Sequence, residues 1–380
     1  MRPQTLRNIP VSAEEKLAWL RLARTENVGP VTFYRLLKFY GSASDALKAL
    51  PGLAKRGGGK KPLHAPEMSV IETEYRKLQK MGGDIITAAE EDYPIALAAL
   101  DDAPPIISIL GNRELMKQSC IAMVGARNAS LNGRKLAEKL ARELGEQNQI
   151  VVSGLARGID TAAHVGSLKS GTIAVVAGGI DVIYPEENTG LYEQIKEHGL
   201  IIAESPFGQQ PFAQSFPRRN RIVSGLSKGV VVVEATMKSG SLITARMAGE
   251  QGRDVYAVPG SPLDPRASGP NYLIREGATL VRNAADIMES LKDFSGTTLR
   301  EPYYISEAFD FEDDLPASEP PENTHEIVLS QLSFTPSGVD ELVRTCHLTI
   351  PAVQMALLEM ELAGRIQRHA GNRISLKTEE

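Results

Sequence analysis

The sequence predicts an α/β protein built on a doubly wound parallel sheet, with a small helical domain before it and a unit of three helices and a hairpin after it. Three observations carry that prediction. Strand-like and helix-like runs alternate from about residue 84 to 290, the pattern of a parallel sheet covered on both faces. One run, Val230 to Val233, is wholly apolar and β-branched, as a central parallel strand requires. An acidic, proline-containing stretch, 295–322, then separates the alternation from a different C-terminal pattern.

The helical domain is read over 1–80. Ser12 and Glu15 have capping-box spacing, and Leu17, Leu20 and Leu22 begin an apolar face. Asn27-Val28-Gly29-Pro30 breaks the helix, and Val31 to Tyr40 resumes it. This pattern resembles SAM-like or helix-hairpin-helix modules. Some of these bind DNA backbone, but packing is the expected role here. The Gly-rich joint Arg56 to Pro62 is not a phosphate loop, because Ala54 and Lys61 stand where Gly and Ser/Thr are needed.

The sheet domain is read over 81–294 as Rossmann-like. Strands are expected at Ile121–Val124, Ile150–Val152, Thr172–Val176, Ile201–Ala203, Val230–Val233 and Val255–Val258. Helices are expected at Leu131–Gly145, Ile159–Lys169 and Ser241–Gln251. The linker, 295–322, holds eight acids and one base. The final unit, 323–380, has helices expected at His325–Leu332, Ser337–Thr345 and Ile350–Leu362, then a hairpin around Gly371-Asn372. Three helices and a hairpin make a winged helix.

Composition narrows the function. The 380 residues carry a net charge of -5, with 42% apolar residues, which is ordinary for a soluble globular chain. No apolar run approaches the roughly 18 residues of a membrane span, and the N-terminus lacks a signal-peptide core. The two cysteines, Cys120 and Cys346, are far apart, which argues against a disulfide framework or a cysteine zinc site. The cytoplasm is the expected compartment. Residues 211–260 hold seven bases and three acids, so an anionic ligand fits despite the acidic total.

Ligands of doubly wound sheets sit at the carboxyl ends of the strands, and four loops there carry the candidate residues. The first, Gly125 to Gly133, lacks dinucleotide spacing, but its turn into a helix N-terminus suits a phosphate beside Arg127 and Ser130. In the second, Gly154 and Gly158 permit close backbone approach and flank Arg157. Asp160 and His164 share one helix face there; they either orient a ligand or merely cap and position the helix. The third holds Arg218, Arg219, Asn220 and Arg221. Four consecutive helical positions fan around the axis, so some must make ion pairs or face a partner chain. The fourth, with Lys238, Ser239, Gly240 and Ser241, offers hydroxyls and free N–H groups at a helix start. Phe207, Phe212 and Phe216 lie near the arginines and could stack on bases, although core packing is expected for two of them.

These parts suit binding phosphates better than hydrolysing them. None of the four loops carries a Gly-x-Ser-x-Gly elbow, and the chain has no His/Cys metal spacing. No catalytic residue, metal or cofactor is expected.

The motifs Gly125-Ala-Arg127, Ser153 to Asp160 with His164, Phe216 to Ile222 and Ser239 to Ala245 together resemble the bacterial DNA-processing protein A (DprA/Smf) family. Gly252-Arg253, Val258 to Gly260, Ser268 to Asn271 and Gly277-Ala278 extend the likeness over about 100–290. The resemblance implies a single-stranded DNA-binding protein rather than an enzyme. It implies protection of incoming strands in natural transformation, loading of the RecA recombinase on them, and a homodimer through the Rossmann-like domain. The DNA-binding set implied is Gly125, Arg127, Ser130, Gly154, Arg157, Gly158, Arg218, Arg219, Asn220, Arg221 and Lys238 to Ser241. Two alternatives stand beside it. One is a nucleotide-processing enzyme of a related fold, with Asp160 and Glu234 as acids. The other is a double-strand regulator working through the winged helix. That unit is ambiguous: its hairpin carries Arg365, Arg368, Arg373 and Lys377, yet its presumed recognition helix has Gln354, Glu359, Glu361 and no base.

Overall fold

Short β-branched runs and small-residue helices assemble the sheet. A computed structural model describes residues 6, 11–59, 63–296, 323–369 and 371–377. They fall into two compact units, one of residues 13–68 with the C-terminal part of the chain, the other of residues 69–296.

The second unit begins with α4 (Met68–Lys80) and centres on a nine-stranded sheet. Its strands are β1 (Asp84–Thr87), β2 (Ile106–Gly111), β3 (Cys120–Val124), β4 (Ile150–Ser153), β5 (Thr172–Val176), β6 (Leu200–Ala203), β7 (Gly229–Val232), β8 (Asp254–Ala257) and β9 (Thr279–Leu280). The order is β1-β2-β6-β5-β4-β3-β7-β8-β9. From β6 to β9 every neighbouring pair is parallel, as the alternating pattern predicts. At the other edge β2 pairs antiparallel with β6, and β1 with β2. That extension has no counterpart in the sequence reading: Asp84–Thr87 has only four residues, and its partner lies beyond a proline-broken loop.

The helices are α5 (Ile95–Ala98), α6 (Leu131–Glu146), α7 (Ile159–Ser167), α8 (Thr189–His198), α9 (Ser215–Gly225), α10 (Gly240–Glu250), α11 (Ser268–Arg275) and α12 (Ala284–Gly296). Ile121, Met123, Val151 and Val231 from the strands meet Leu140 and Leu144 of α6, Ala163 of α7 and Ile287 of α12 in one core. Each such buried aliphatic contributes about 1.5–3 kcal/mol of transfer free energy. Gly166 of α7 lies so close to the Glu138 backbone of α6 that a Cβ would collide. After β3 the chain builds first to one side, through β4 to β6, then returns to the other through β7. The reversal opens a crevice at the carboxyl ends of β3 and β7.

The first unit holds α1 (Ala13–Ala23), α2 (Pro30–Tyr40) and α3 (Ala43–Arg56). It also holds α13 (Thr324–Ser330), β10 (Ser337–Gly338), α14 (Val339–Cys346), α15 (Ile350–Leu362), β11 (Ile366–His369) and β12 (Arg373–Leu376). Ser42 caps α3, and Glu15 of α1 accepts from Ala43 N at 2.6 Å. In the winged helix, Val328, Leu342, Val353, Leu357, Ile366 and Ile374 form the core. Ser337, expected to open a helix, instead lies in β10, which pairs with β12; α14 starts two residues later. The expected acidic linker, 295–322, lies outside the described residues except for 295 and 296, which close α12.

Candidate nucleic-acid interface

The loops after β3, β4, β7 and β8, together with the first turns of α9 and α10, enclose a cavity of about 720 Å³. Of the residues singled out from sequence, Gly125, Arg127, Gly154, Asp160, Arg219, Asn220, Ser239, Gly240 and Ser241 line it. A smaller neighbouring recess adds Arg157 and Tyr184. The structure thus gathers residues spread over more than a hundred positions into one crevice.

Arg127 is exposed and forms no ion pair among the described residues. Its guanidinium lies 5.0 Å from the ring centroid of Phe216, and the Tyr184 ring centroid stands 5.7 Å from that of Phe216. A cation over an aromatic face beside a second ring offers one group for a phosphate and two for a base. Phe216 is half-buried, Phe212 exposed, and Phe207 half-buried under Lys77 Nζ at 5.8 Å. The expectation that two of the three would be core residues is therefore overturned. Phe207 and Phe212 lie in the segment between β6 and α9, and Phe216 in the first turn of α9.

The arginine cluster fans around α9. Arg218 is exposed but does not line the cavity. Arg219 is buried, and its Nη1 donates to Val175 O at 2.9 Å. Arg221 points away from the cavity into the fold, 2.5 Å from Glu204 through Nη2 and 3.7 Å from Asp102 through Nε. As a phosphate ligand Arg221 is a correction: the carboxylates already hold it. Lys238 is exposed beside the cavity mouth rather than within it. Arg157 is exposed and paired with Glu187 at 2.6 Å, a surface pair weak enough to exchange for a phosphate.

The small residues also divide. Ser130 caps α6 by accepting from Gly133 N at 2.8 Å. Its own N–H and Oγ donate to the Glu234 carboxylate at 2.8 and 2.6 Å. The positive end of α6 is therefore occupied by the protein's own carboxylate, and Ser130 is a second correction. Gly158, at φ +78°, lets the start of α7 pass against the Ala126 and Arg127 carbonyls, where a Cβ would collide. A Cβ at Gly154 would likewise run into the Arg219 guanidinium. Both glycines serve approach between protein groups, not approach of a ligand. At α10 the helix start stays open: Ser239 caps through Ser241 N, and the Ser239 and Ser241 hydroxyls meet at 2.6 Å.

Asp160 and His164 lie one turn apart on α7 and are both buried. Asp160 Oδ2 accepts from Gly154 N at 3.2 Å and Ala156 N at 3.3 Å, so it shapes the β4 loop. Burial pushes its carboxyl above the usual range, while Arg219 and those N–H groups oppose the shift. Thr172 Oγ1 donates its proton to Val151 O, so it accepts from His164 Nδ1–H at 2.8 Å. That fixes the tautomer and leaves Nε2 unprotonated, without a partner among the described residues. Burial first, and Arg219 second, hold the imidazole down at about 3. His164 is thus a neutral structural group.

Sequence reasoning missed Asn128, Thr236, Thr244 and the Asp264–Arg266 pair, which also line the cavity. Arg266 Nε lies 3.1 Å from Asp264 Oδ1. Their signal was available, since Asp264-Pro265-Arg266 follows β8 as the other loops follow their strands. Among the described residues no cluster of His, Cys, Asp or Glu has the makings of a metal site, and no helix is long and apolar enough to cross a membrane.

Comparison with known proteins places these features in context. The family model described as DNA recombination-mediator protein A matches residues 84–292. A DprA-like N-terminal HHH domain matches 13–76, and a DprA winged helix domain 312–372. Protein Smf of Synechocystis is 32% identical, covering 94% of this chain and 98% of its own length. The crystal structure of DNA processing protein A from Streptococcus pneumoniae superposes with a TM-score of 0.64 at 35% identity, over 74% of this chain and 98% of that one. A Helicobacter pylori DNA processing protein A, described by its single-stranded DNA binding mode, gives a TM-score of 0.52 at 29% identity, over 56% of this chain and 96% of that one.

Proposed function

The chain belongs to the DNA recombination-mediator protein A (DprA) family, and from that premise we propose that its sheet-end crevice holds single-stranded DNA. The observation that carries this reading is Arg127, unpaired and stacked on Phe216 beside Tyr184. Arg157, Arg218 and Lys238 add exposed cations around it. Cations for the backbone and rings for the bases are the two parts a sequence-tolerant strand binder needs. The Helicobacter pylori relative, described as binding single strands, supports the same ligand.

The wider role follows the family. The chain protects incoming strands in natural transformation and loads RecA on them, acting in the cytoplasm as a homodimer and without catalysis. The family description, a recombination mediator, supports the loading role. In the competing reading, a nucleotide-processing enzyme, Glu234 and Asp160 would be the acids. Both carboxylates are engaged here, by Ser130 and by two backbone N–H groups respectively. Base released from nucleoside monophosphates would restore that reading.

The deciding measurement is oligo-dT affinity against salt. Phosphate-anchored binding falls with a log–log slope of about -0.7 for each contact on a single strand. A flat salt response would sink the cation-cradle reading. RecA filament growth on strands precoated with a single-strand-binding protein tests loading; no acceleration by this chain would remove that part.

A further inference from the structure

Phe207 and Phe212 line neither the crevice nor its recess, yet the segment that carries them leads straight out of it. Pro211, next to Phe212, lines the recess together with Arg127, Tyr184 and Phe216. The segment is pinned along its length. Gly179 N donates to Gln209 O at 2.8 Å. Asp181 Oδ1 accepts from Gly208 N at 2.7 Å, and Glu74 Oε1 of α4 accepts from Phe207 N at 3.3 Å. Ser215 N donates to Phe212 O at 2.9 Å and turns the chain into α9.

A backbone held in this way presents its two rings instead of storing them. Phe212 is 46% exposed. Phe207 is half-buried, with Lys77 Nζ of α4 at 5.8 Å from its centroid, within cation–π range. Lys77 is itself exposed and forms no ion pair among the described residues. The crevice has the same arrangement, Arg127 over Phe216. A cation-capped phenylalanine therefore stands at each end of the segment, with an exposed ring between. Phe207 and Phe212 are five positions apart, so their backbones lie within about 18 Å of each other even at full extension.

Charge decides which part of a strand these rings meet. Glu74 and Asp181 oppose a row of phosphates here, and Lys77 suits a single one. Rings with one cation favour bases over backbone. An apolar protein segment would use the rings and have no use for the cation.

We propose that the β6–α9 segment is a second stacking station: a single strand held in the crevice continues over Phe212 to Phe207, where its bases stack and Lys77 meets one phosphate. This rests on the crevice holding single-stranded DNA, as proposed above.

The test measures the affinity of the full chain for oligo-dT of about 6 and about 16 nucleotides, lengths within the span of single-strand sites. The long oligonucleotide is expected to bind wild type more tightly than the short one. Phe212→Ala and Phe207→Leu should each weaken the long complex by roughly five- to a hundredfold and leave the short one unchanged. Phe212→Trp should keep the wild-type gain. Lys77→Ala should make the log–log salt slope of the long complex shallower by about 0.7 and not alter that of the short one. A length gain that survives Phe212→Ala or Phe207→Leu intact overturns the proposal and leaves the ring to a protein partner. Equal loss at both lengths overturns it as well, because the variant then acts on the crevice. Absence of wild-type binding at either length sinks the crevice reading and this one together, so the two failures are told apart.

Discussion

The guanidinium of Arg219 lies against Gly154, in space that any side chain at 154 would need. Two motifs separated by more than sixty residues are thereby locked together: the β4 loop, and the arginine cluster of α9. Nη1 of Arg219 reaches Val175 O at the end of β5, and its charge faces Asp160. Burial pulls the guanidinium below its ordinary pKa while Asp160 opposes the shift. Arg219 is therefore a keystone of the crevice floor, not a swinging phosphate hook.

Gly154→Ala should destabilise the chain. The methyl has to displace a buried guanidinium or the loop above it, an overpacking loss of about 1–3 kcal/mol. Calorimetry should show a melting temperature lower by about 2–4 °C for each kcal/mol. An unchanged melting point would mean that Arg219 leaves its place freely.

Arg127→Ala should act in the opposite way. The side chain is exposed, so the melting temperature stays the same. Loss of a charge-assisted bond to phosphate weakens oligo-dT binding by about 1.5–3 kcal/mol, or roughly ten- to a hundredfold. Lys228→Ala, exposed at the far end of β7, serves as the control and should alter neither quantity. Equal affinity for wild type and Arg127→Ala would take Arg127 out of the interface.

Arg221→Ala separates fold from function within the same cluster. It removes the bond to Glu204 and should lower stability by about 1.5–3 kcal/mol, read as a shifted urea midpoint. The protein that remains folded should hold oligo-dT within a few-fold of wild type. A deficit as large as that of Arg127→Ala would place Arg221 on the strand.

His164 gives stability a pH dependence. The unfolded chain takes up a proton as the pH falls through the ordinary value of 6.5, whereas the folded chain resists down to about 3. Its contribution is fully present above 6.5 and is lost as the pH falls below it, at up to about 1.4 kcal/mol per pH unit. His164→Asn keeps an amide near Thr172 Oγ1 but cannot titrate. Urea midpoints at neutral and mildly acidic pH should converge for the variant and separate for wild type. The same acid loss in both would assign the titration to another group.

Much of this was legible in the sequence because it is local. Thr172–Val176 and Ile350–Leu362 were read to the residue, since β-branched runs and helix-length apolar runs declare themselves within a few positions. The glycines and cations that gather at the strand ends followed from the alternation alone. What resisted was partnership at a distance. Ser130 meets Glu234 across 104 positions of chain, and nothing in either loop announces the other. Arg219 and Arg221 differ by two positions and have different fates, decided by Gly154 on one side and Glu204 on the other.

The Ser130–Glu234 bond also governs what kind of guest the crevice favours. With the positive end of α6 already satisfied from within, that helix start offers no socket for one terminal phosphate. The attraction of the crevice is distributed among separate cations and rings along the rim, so a free nucleotide engages a fraction of them and a strand engages them together. Grip of that kind grows with the number of links spanned, and it loosens link by link, which lets a bound strand be passed onward without being torn away at once.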